Sequence, residues 1–248
     1  MNLEKTADVF GYKIFAGSLD ELADGIREDI SKDQQNVIFA MNPNKVMLAK
    51  KDAQIKRILK SADILIPDGI GLIRAARMFG EHISERITGI DLMEKWCQIA
   101  ETDQLPIFLY GAAKESVSGA VGELKKKFEM IPIVGYNNGY DQNAAKVVDK
   151  IQLSGAKILF VGLGSPAQEE FIYQYKNDLT NIRLFVGVGG SFDVISGQAK
   201  RAPKWMIRLN LEWLYRMVAQ PGRVKRYGFL LQFMIYTWIV KWRKRNEG

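Results

Sequence analysis

The chain is poor in the residues from which many sites are built. Among 248 residues it has one histidine, His82, and one cysteine, Cys97. A single cysteine excludes an intrachain disulfide and agrees with a reducing compartment. One of each also excludes a structural zinc site, which needs four Cys or His ligands. His82 stands in the polar run Gly80-Glu81-His82-Ile83-Ser84 and reads as a surface residue. That disfavours a serine–histidine–aspartate triad and leaves acid–base chemistry to carboxylates. No Asp-x-Asp pair occurs. Such a pair is a natural ligand set for a divalent cation bridging a diphosphate, so no metal and no cofactor are expected. The phosphate-binding G-x-x-x-x-G-K-[ST] loop is missing, as is a G-x-G-x-x-G after the first strands, which argues against a P-loop ATPase and a dehydrogenase. Residues 1–12 have interspersed charges and no apolar h-region, so they do not read as a signal peptide.

The charge that is present is unevenly placed. The chain carries +7 overall, but residues 200–248 hold twelve of the 35 Lys/Arg and only two acids, Glu212 and Glu247. That segment is therefore +10 and residues 1–199 are −3. Trp205, Trp213, Trp238 and Trp242, four of the five tryptophans, lie in the same segment. An acidic body over residues 1–197 and a basic, aromatic-rich appendage over 198–248 follow from this shift. Such an appendage seeks an anionic surface.

Apolar runs at 36–40, 64–67, 107–110, 131–134, 158–161 and 183–188 predict strands, and 8–16 predicts a hairpin or edge strand. Helical periodicity falls between them, near 43–60, 69–79, 89–103, 114–128, 141–154 and 166–178. Ser18 predicts a helix cap for a helix running to about residue 31, with Glu21 completing a capping box. Strands alternating with helices predict an α/β fold with a largely parallel, Rossmann-like sheet covered on both faces.

Four strand-end loops stand out. They are Ala40-Met41-Asn42-Pro43-Asn44, Ile66-Pro67-Asp68-Gly69-Ile70-Gly71, the Gly162–Glu169 loop, and Gly187-Val188-Gly189-Gly190-Ser191-Phe192-Asp193. Any one of them reads as a tight βα turn. Several at one sheet edge point to a nucleotide or phosphate pocket, because glycine lets the backbone approach a ligand closely. Asp68, between an apolar strand and a glycine, fits two roles equally. It can be a general base whose pKa burial raises, or the N-cap of the following helix. Asp193 is similarly poised between orienting a ligand hydroxyl and capping a turn.

The set formed by Asp68-Gly69, Arg86-Ile87-Thr88-Gly89-Ile90-Asp91-Leu92, Gly164-Ser165-Pro166-Ala167-Gln168-Glu169, Gly187 to Asp193, Lys200-Arg201-Ala202-Pro203 and Glu212-Trp213-Leu214-Tyr215-Arg216 resembles the WecG/TagA/CpsF family, glycosyltransferase family 26. The resemblance runs collinearly from about residue 8 to residue 230. It implies a GT-E-type fold and metal-independent, inverting transfer from a UDP-sugar to an undecaprenyl-diphosphate-linked sugar. It matches Asp68 to the catalytic base, and Asn42, Arg86 and Gln168 to pocket residues. Arg216, Arg223 and Arg226 match arginines that close over the diphosphate. Gly189, Gly190 and Asp193 complete the expected substrate contacts. The chain departs from many members at Ala40, where Thr is common, and at Ala167, where Lys or Arg is common. The body looks similar to the wall-teichoic-acid branch, which makes N-acetylmannosamine the expected sugar; N-acetylmannosaminuronic acid and glucose are the alternatives.

Residues 227–242 have only Gly228, Gln232, Thr237 and Lys241 as non-apolar interruptions, and basic residues flank them. As a helix they span roughly 24 Å, short of the roughly 30 Å hydrocarbon core. The expected arrangement is an interfacial helix on the inner face of the cell membrane, with the protein cytoplasmic and peripheral. The competing reading is a helix packed on the body or on a second copy of the chain. A noncatalytic nucleotide sensor and a nucleic-acid-binding protein are the other function classes. The second leaves the clustered loops unexplained, so no nucleic-acid partner is expected.

Overall fold

The computed structural model describes residues 5–141, 143–203, 205–206, 215 and 228–246. Its centre is an eight-stranded sheet. A hairpin of β1 (Thr6–Val9) and β2 (Tyr12–Phe15) leads through α1 (Leu19–Ser31) to β3 (Asn36–Met41). Next come α2 (Pro43–Lys51), α3 (Ala53–Lys60), β4 (Ile64–Pro67), α4 (Ile70–Met78) and α5 (Gly89–Asp103). The chain continues with β5 (Ile107–Gly111), α6 (Lys114–Lys127), β6 (Ile133–Asn137), α7 (Ala144–Leu153) and β7 (Ile158–Gly162). Then follow α8 (Ala167–Tyr175), β8 (Leu184–Gly187), α9 (Ser191–Ile195) and, further on, α10 (Gly228–Asn246).

The strand order is β1-β2-β4-β3-β8-β7-β5-β6, with β1 antiparallel to β2 and every other pairing parallel. Both faces are covered, as the apolar strands require. Val37, Phe39 and Met41 of β3 point to one face, where α2, α3, α4, α7 and α8 pack. Ile38 and Ala40 point to the other, where α1, α5, α6 and α9 pack around Trp96 and Phe192. Cys97 lies in this second core, and burial pushes its thiol pKa well above the usual value.

The capping box is present. Ser18 Oγ accepts from the Glu21 amide at 3.2 Å and the Glu21 carboxylate accepts from the Ser18 amide at 2.9 Å. Such a cap contributes about 1 kcal/mol. The periodic stretch 43–60 is two helices, because Asp52 accepts from the amides of Gln54 and Ile55 and so caps α3 where α2 ends. The strand expected at 131–134 lies at Ile133–Asn137 instead. Pro132 has no N–H for a ladder, whereas Gly135, Tyr136 and Asn137 pair with Phe108, Leu109 and Tyr110.

Helix α10 returns to the body and packs against α2. Phe233 is 2% exposed and meets Phe10, whose ring also stacks on Tyr236. Lys50 and Lys51, the last residues of α2, sit over the rings of Tyr236 and Phe229 at 4.0 and 4.9 Å. Leu231, Met234, Ile235, Trp238 and Trp242 are exposed, Trp238 by 64%. Their spacing places them on the helix side away from Phe233. The helix therefore has two apolar faces, one docked and one open.

Candidate functional site

Because the strands run parallel, the four strand-end loops emerge at one edge of the sheet. The chain leaves β3 toward the α2 face and β8 toward the α9 face, although these strands are neighbours. Such a divergence opens the crevice in which α/β sheets bind ligands.

Asn42, at the end of β3, caps α2: its Oδ1 accepts from the Lys45 amide at 3.0 Å, and Pro43 fills the first helical position. Asp68 follows β4 beside it, and its amide donates to the Met41 carbonyl at 2.9 Å, tying the second loop to the first. The N-cap of α4 is Gly69, at φ 103° and ψ 135°, and no side chain caps that helix. A left-handed residue here needs glycine. The N-cap position that the sequence offered to Asp68 is therefore taken by Gly69. Asp68 is half-buried.

Arg86 precedes Ile87, whose amide donates to the Pro67 carbonyl at 3.1 Å, so this segment runs alongside Asp68. Thr88 caps α5, which packs against β8. Its hydroxyl donates to Asp91, and the other Asp91 oxygen accepts from Arg201 at 2.5 Å. The Thr-Gly-Ile-Asp and Lys-Arg-Ala-Pro segments, far apart in sequence, are thus one structural unit beside the second and fourth loops.

Gln168 is 3% exposed at the start of α8, and its Oε1 accepts from the Gly189 amide at 2.9 Å. Gly190 is the N-cap of α9 and Asp193 lies in that helix's first turn, half-buried, its carbonyl accepting from the Ala199 amide. Asn42, Asp68, Arg86, Gln168, Gly189, Gly190 and Asp193 are therefore brought to one edge. Arg216, Arg223 and Arg226 lie outside the described residues. His82 is exposed, as its polar surroundings imply. Among the described residues, no group of three or more His, Cys, Asp and Glu is placed to hold a metal ion.

Sequence reasoning missed Lys45 and passed over Glu169. Both are buried, and Lys45 Nζ lies 2.6 Å from Glu169 Oε1. A lysine in the first turn of a helix normally reads as solvated, and nothing in the apolar spacing marks this one as interior.

A doubly covered parallel sheet whose loops converge at a switch point, one of them carrying Asp68, is the arrangement in which α/β proteins bind ligands at the carboxyl edge. Residues 7–247 match the glycosyl transferase WecG/TagA/CpsF family. The chain belongs to that family. It is 40% identical over 211 residues, 85% of this chain and 81% of the relative, to the N-acetylglucosaminyldiphosphoundecaprenol N-acetyl-beta-D-mannosaminyltransferase of Bacillus subtilis strain 168. A protein of the same name from Bacillus spizizenii is 39% identical over 189 residues, 76% of this chain and 73% of that one.

Proposed function

We propose that this glycosyltransferase moves N-acetylmannosamine from UDP-N-acetylmannosamine to an undecaprenyl-diphosphate-linked N-acetylglucosamine, with inversion and without a metal ion. The position of Asp68 carries the reading. It follows β4 at the carboxyl edge of the sheet, alongside the segment that carries Arg86, and Gly69 rather than Asp68 is the N-cap of α4. The names of the two Bacillus relatives supply the sugar and the acceptor.

Asp68 takes the proton from the acceptor hydroxyl as that oxygen attacks the donor's anomeric carbon. One displacement inverts the carbon and UDP leaves. Charge developing on the β-phosphate needs cations. Arg216, Arg223 and Arg226 supply guanidinium groups that bind phosphate bidentately in place of a metal. The Gly189–Gly190 loop and Asp193 hold the donor at the crevice.

The open face of α10 is the membrane contact. Among the described residues no helix is long and apolar enough to cross a bilayer. Leu231, Met234, Ile235, Trp238 and Trp242 form a stripe for the headgroup boundary, with Lys241 and Arg243 at the end of the same helix. This stripe supports a peripheral position on the inner face of the membrane, where a polyprenyl acceptor presents its sugar.

The reading is tested by offering a panel of UDP-sugars with a short-chain lipid-diphosphate N-acetylglucosamine and following UDP release. UDP-N-acetylmannosamine is expected to be the best donor, giving a disaccharide of inverted anomeric configuration. Activity is expected to survive EDTA unchanged, because the sequence offers neither an Asp-x-Asp pair nor a histidine cluster. Loss with EDTA and recovery with magnesium or manganese would overturn the metal-free mechanism. UDP release from none of the donors would overturn the reading itself.

A further inference from the structure

The most unusual group in the interior is a buried chain of polar side chains beneath the crevice. Lys45 and Glu169 have side chains only 4% and 1% exposed. Lys45 Nζ donates to Glu169 Oε1 and to the Ala40 carbonyl, both at 2.6 Å. Glu169 Oε1 also accepts from Gln168 Nε2 at 2.8 Å, and Gln168 Oε1 accepts from the Gly189 amide at 2.9 Å. Four bonds thus join the end of β3, the start of α2, the start of α8 and the loop after β8.

Stability is a poor reason for such a chain. Desolvating two charges costs more than their attraction commonly returns, and apolar replacements of similar volume are often neutral or stabilising. Glu169 Oε2 has no hydrogen-bond partner among the described residues, so the carboxylate depends on Lys45 and Gln168 alone. What the chain does achieve is direction. A carboxylate paired with an ammonium accepts hydrogen bonds only, so Gln168 must turn its NH₂ toward Glu169. Its oxygen then has to face Gly189, which can offer only a donor there. Gly187 has no side chain to obstruct this: a Cβ there would lie 2.6 Å from Gln168 Nε2. Gly189 itself is held at φ 56°.

We infer that Lys45 and Glu169 are positioning residues that act through Gln168 to fix the shape of the Gly189–Gly190 loop for the UDP moiety of the donor. The inference rests on the donor reading above. On this account Gln168 is a strap beneath the loop, with both ends of its amide engaged inside the protein, and the ion pair selects which way the amide points.

The test removes the ion pair without leaving either charge unpaired. The variant Lys45→Met/Glu169→Leu is compared with the parent and with Gln168→Ala by thermal unfolding, calorimetric titration with UDP alone, and steady-state kinetics in each substrate. The double variant is expected to melt at or above the parent temperature. Its UDP affinity and its kcat/KM for the UDP-sugar are expected to fall by about 10- to 100-fold, the scale of a small misplacement of a binding group. The KM for the lipid acceptor is expected to stay unchanged. Gln168→Ala, which keeps the ion pair, is expected to show the same loss of UDP affinity and so decides the matter should the double variant fail to fold. A parent that binds UDP beside folded variants that bind it equally well would sink the inference and leave the donor reading standing. A parent that binds no UDP would remove both.

Discussion

Asp68→Asn is expected to lower turnover by about 10²- to 10⁴-fold, the usual scale for losing a general base, while UDP affinity stays close to that of the parent. The substitution is nearly isosteric. The amide of residue 68 still bonds the Met41 carbonyl and Gly69 remains the N-cap of α4, so the backbone geometry of the loop is kept. What disappears is the ability to accept the proton of the attacking hydroxyl. Single-turnover kinetics with the short-chain acceptor separates this from product release. A folded Asp68→Asn protein that transfers sugar at close to the parent rate would remove Asp68 from the mechanism.

The second large effect concerns the appendage. Cutting the chain after about residue 197 removes Arg216, Arg223 and Arg226 and is expected to abolish transfer. It also uncovers Phe10, Met47 and the rest of the surface under Phe229, Phe233 and Tyr236, so the truncated body exposes a new apolar patch. The informative change is on the outer face. Leu231→Ser/Met234→Ser/Trp238→Ser leaves the docked face intact. Each fully buried apolar side chain is worth about 1.5–3 kcal/mol, and these enter the bilayer boundary only in part. Binding to anionic vesicles is therefore expected to fall by about 10- to 100-fold, with kcat on a soluble acceptor unchanged. Single alanine changes at Arg223 and Arg226 are expected to do the reverse, lowering kcat more than vesicle binding. Undiminished vesicle binding by the triple variant would overturn the membrane role. A change from dimer to monomer in sedimentation, with vesicle binding intact, would assign the outer face to a second copy of the chain.

The sheet was legible because its strands are short apolar runs ending in glycine, asparagine or aspartate, and because helical periodicity separates them. The order of the strands was not, since pairing β3 with β8 joins segments almost 150 residues apart and leaves no local mark. Local chemistry overruled periodicity at Asp52, where one side chain turned an expected helix into two. Asn42, Asp68 and Arg86 stood out by their motifs, yet sequence could not decide whether Asp68 is the N-cap of a helix. The φ of Gly69 decides it. Lys45 was invisible for a different reason: its partner lies 124 positions away, and only the packing of α8 against the start of α2 makes a lysine there an interior residue.

Helix α2 carries Asn42 at its head, while at its tail Lys50 and Lys51 grip the helix that we assign to the membrane. Nine helical residues separate the two ends by about 13 Å. On the membrane reading, this strut sets the altitude of the crevice above the lipid. A flexible tether would let the crevice wander over a range of heights that widens with tether length. An acceptor embedded in the bilayer diffuses in two dimensions and presents its sugar at one level. A stiff mount lets the enzyme wait at that level and reduces the encounter from a search through a volume to a search across a sheet.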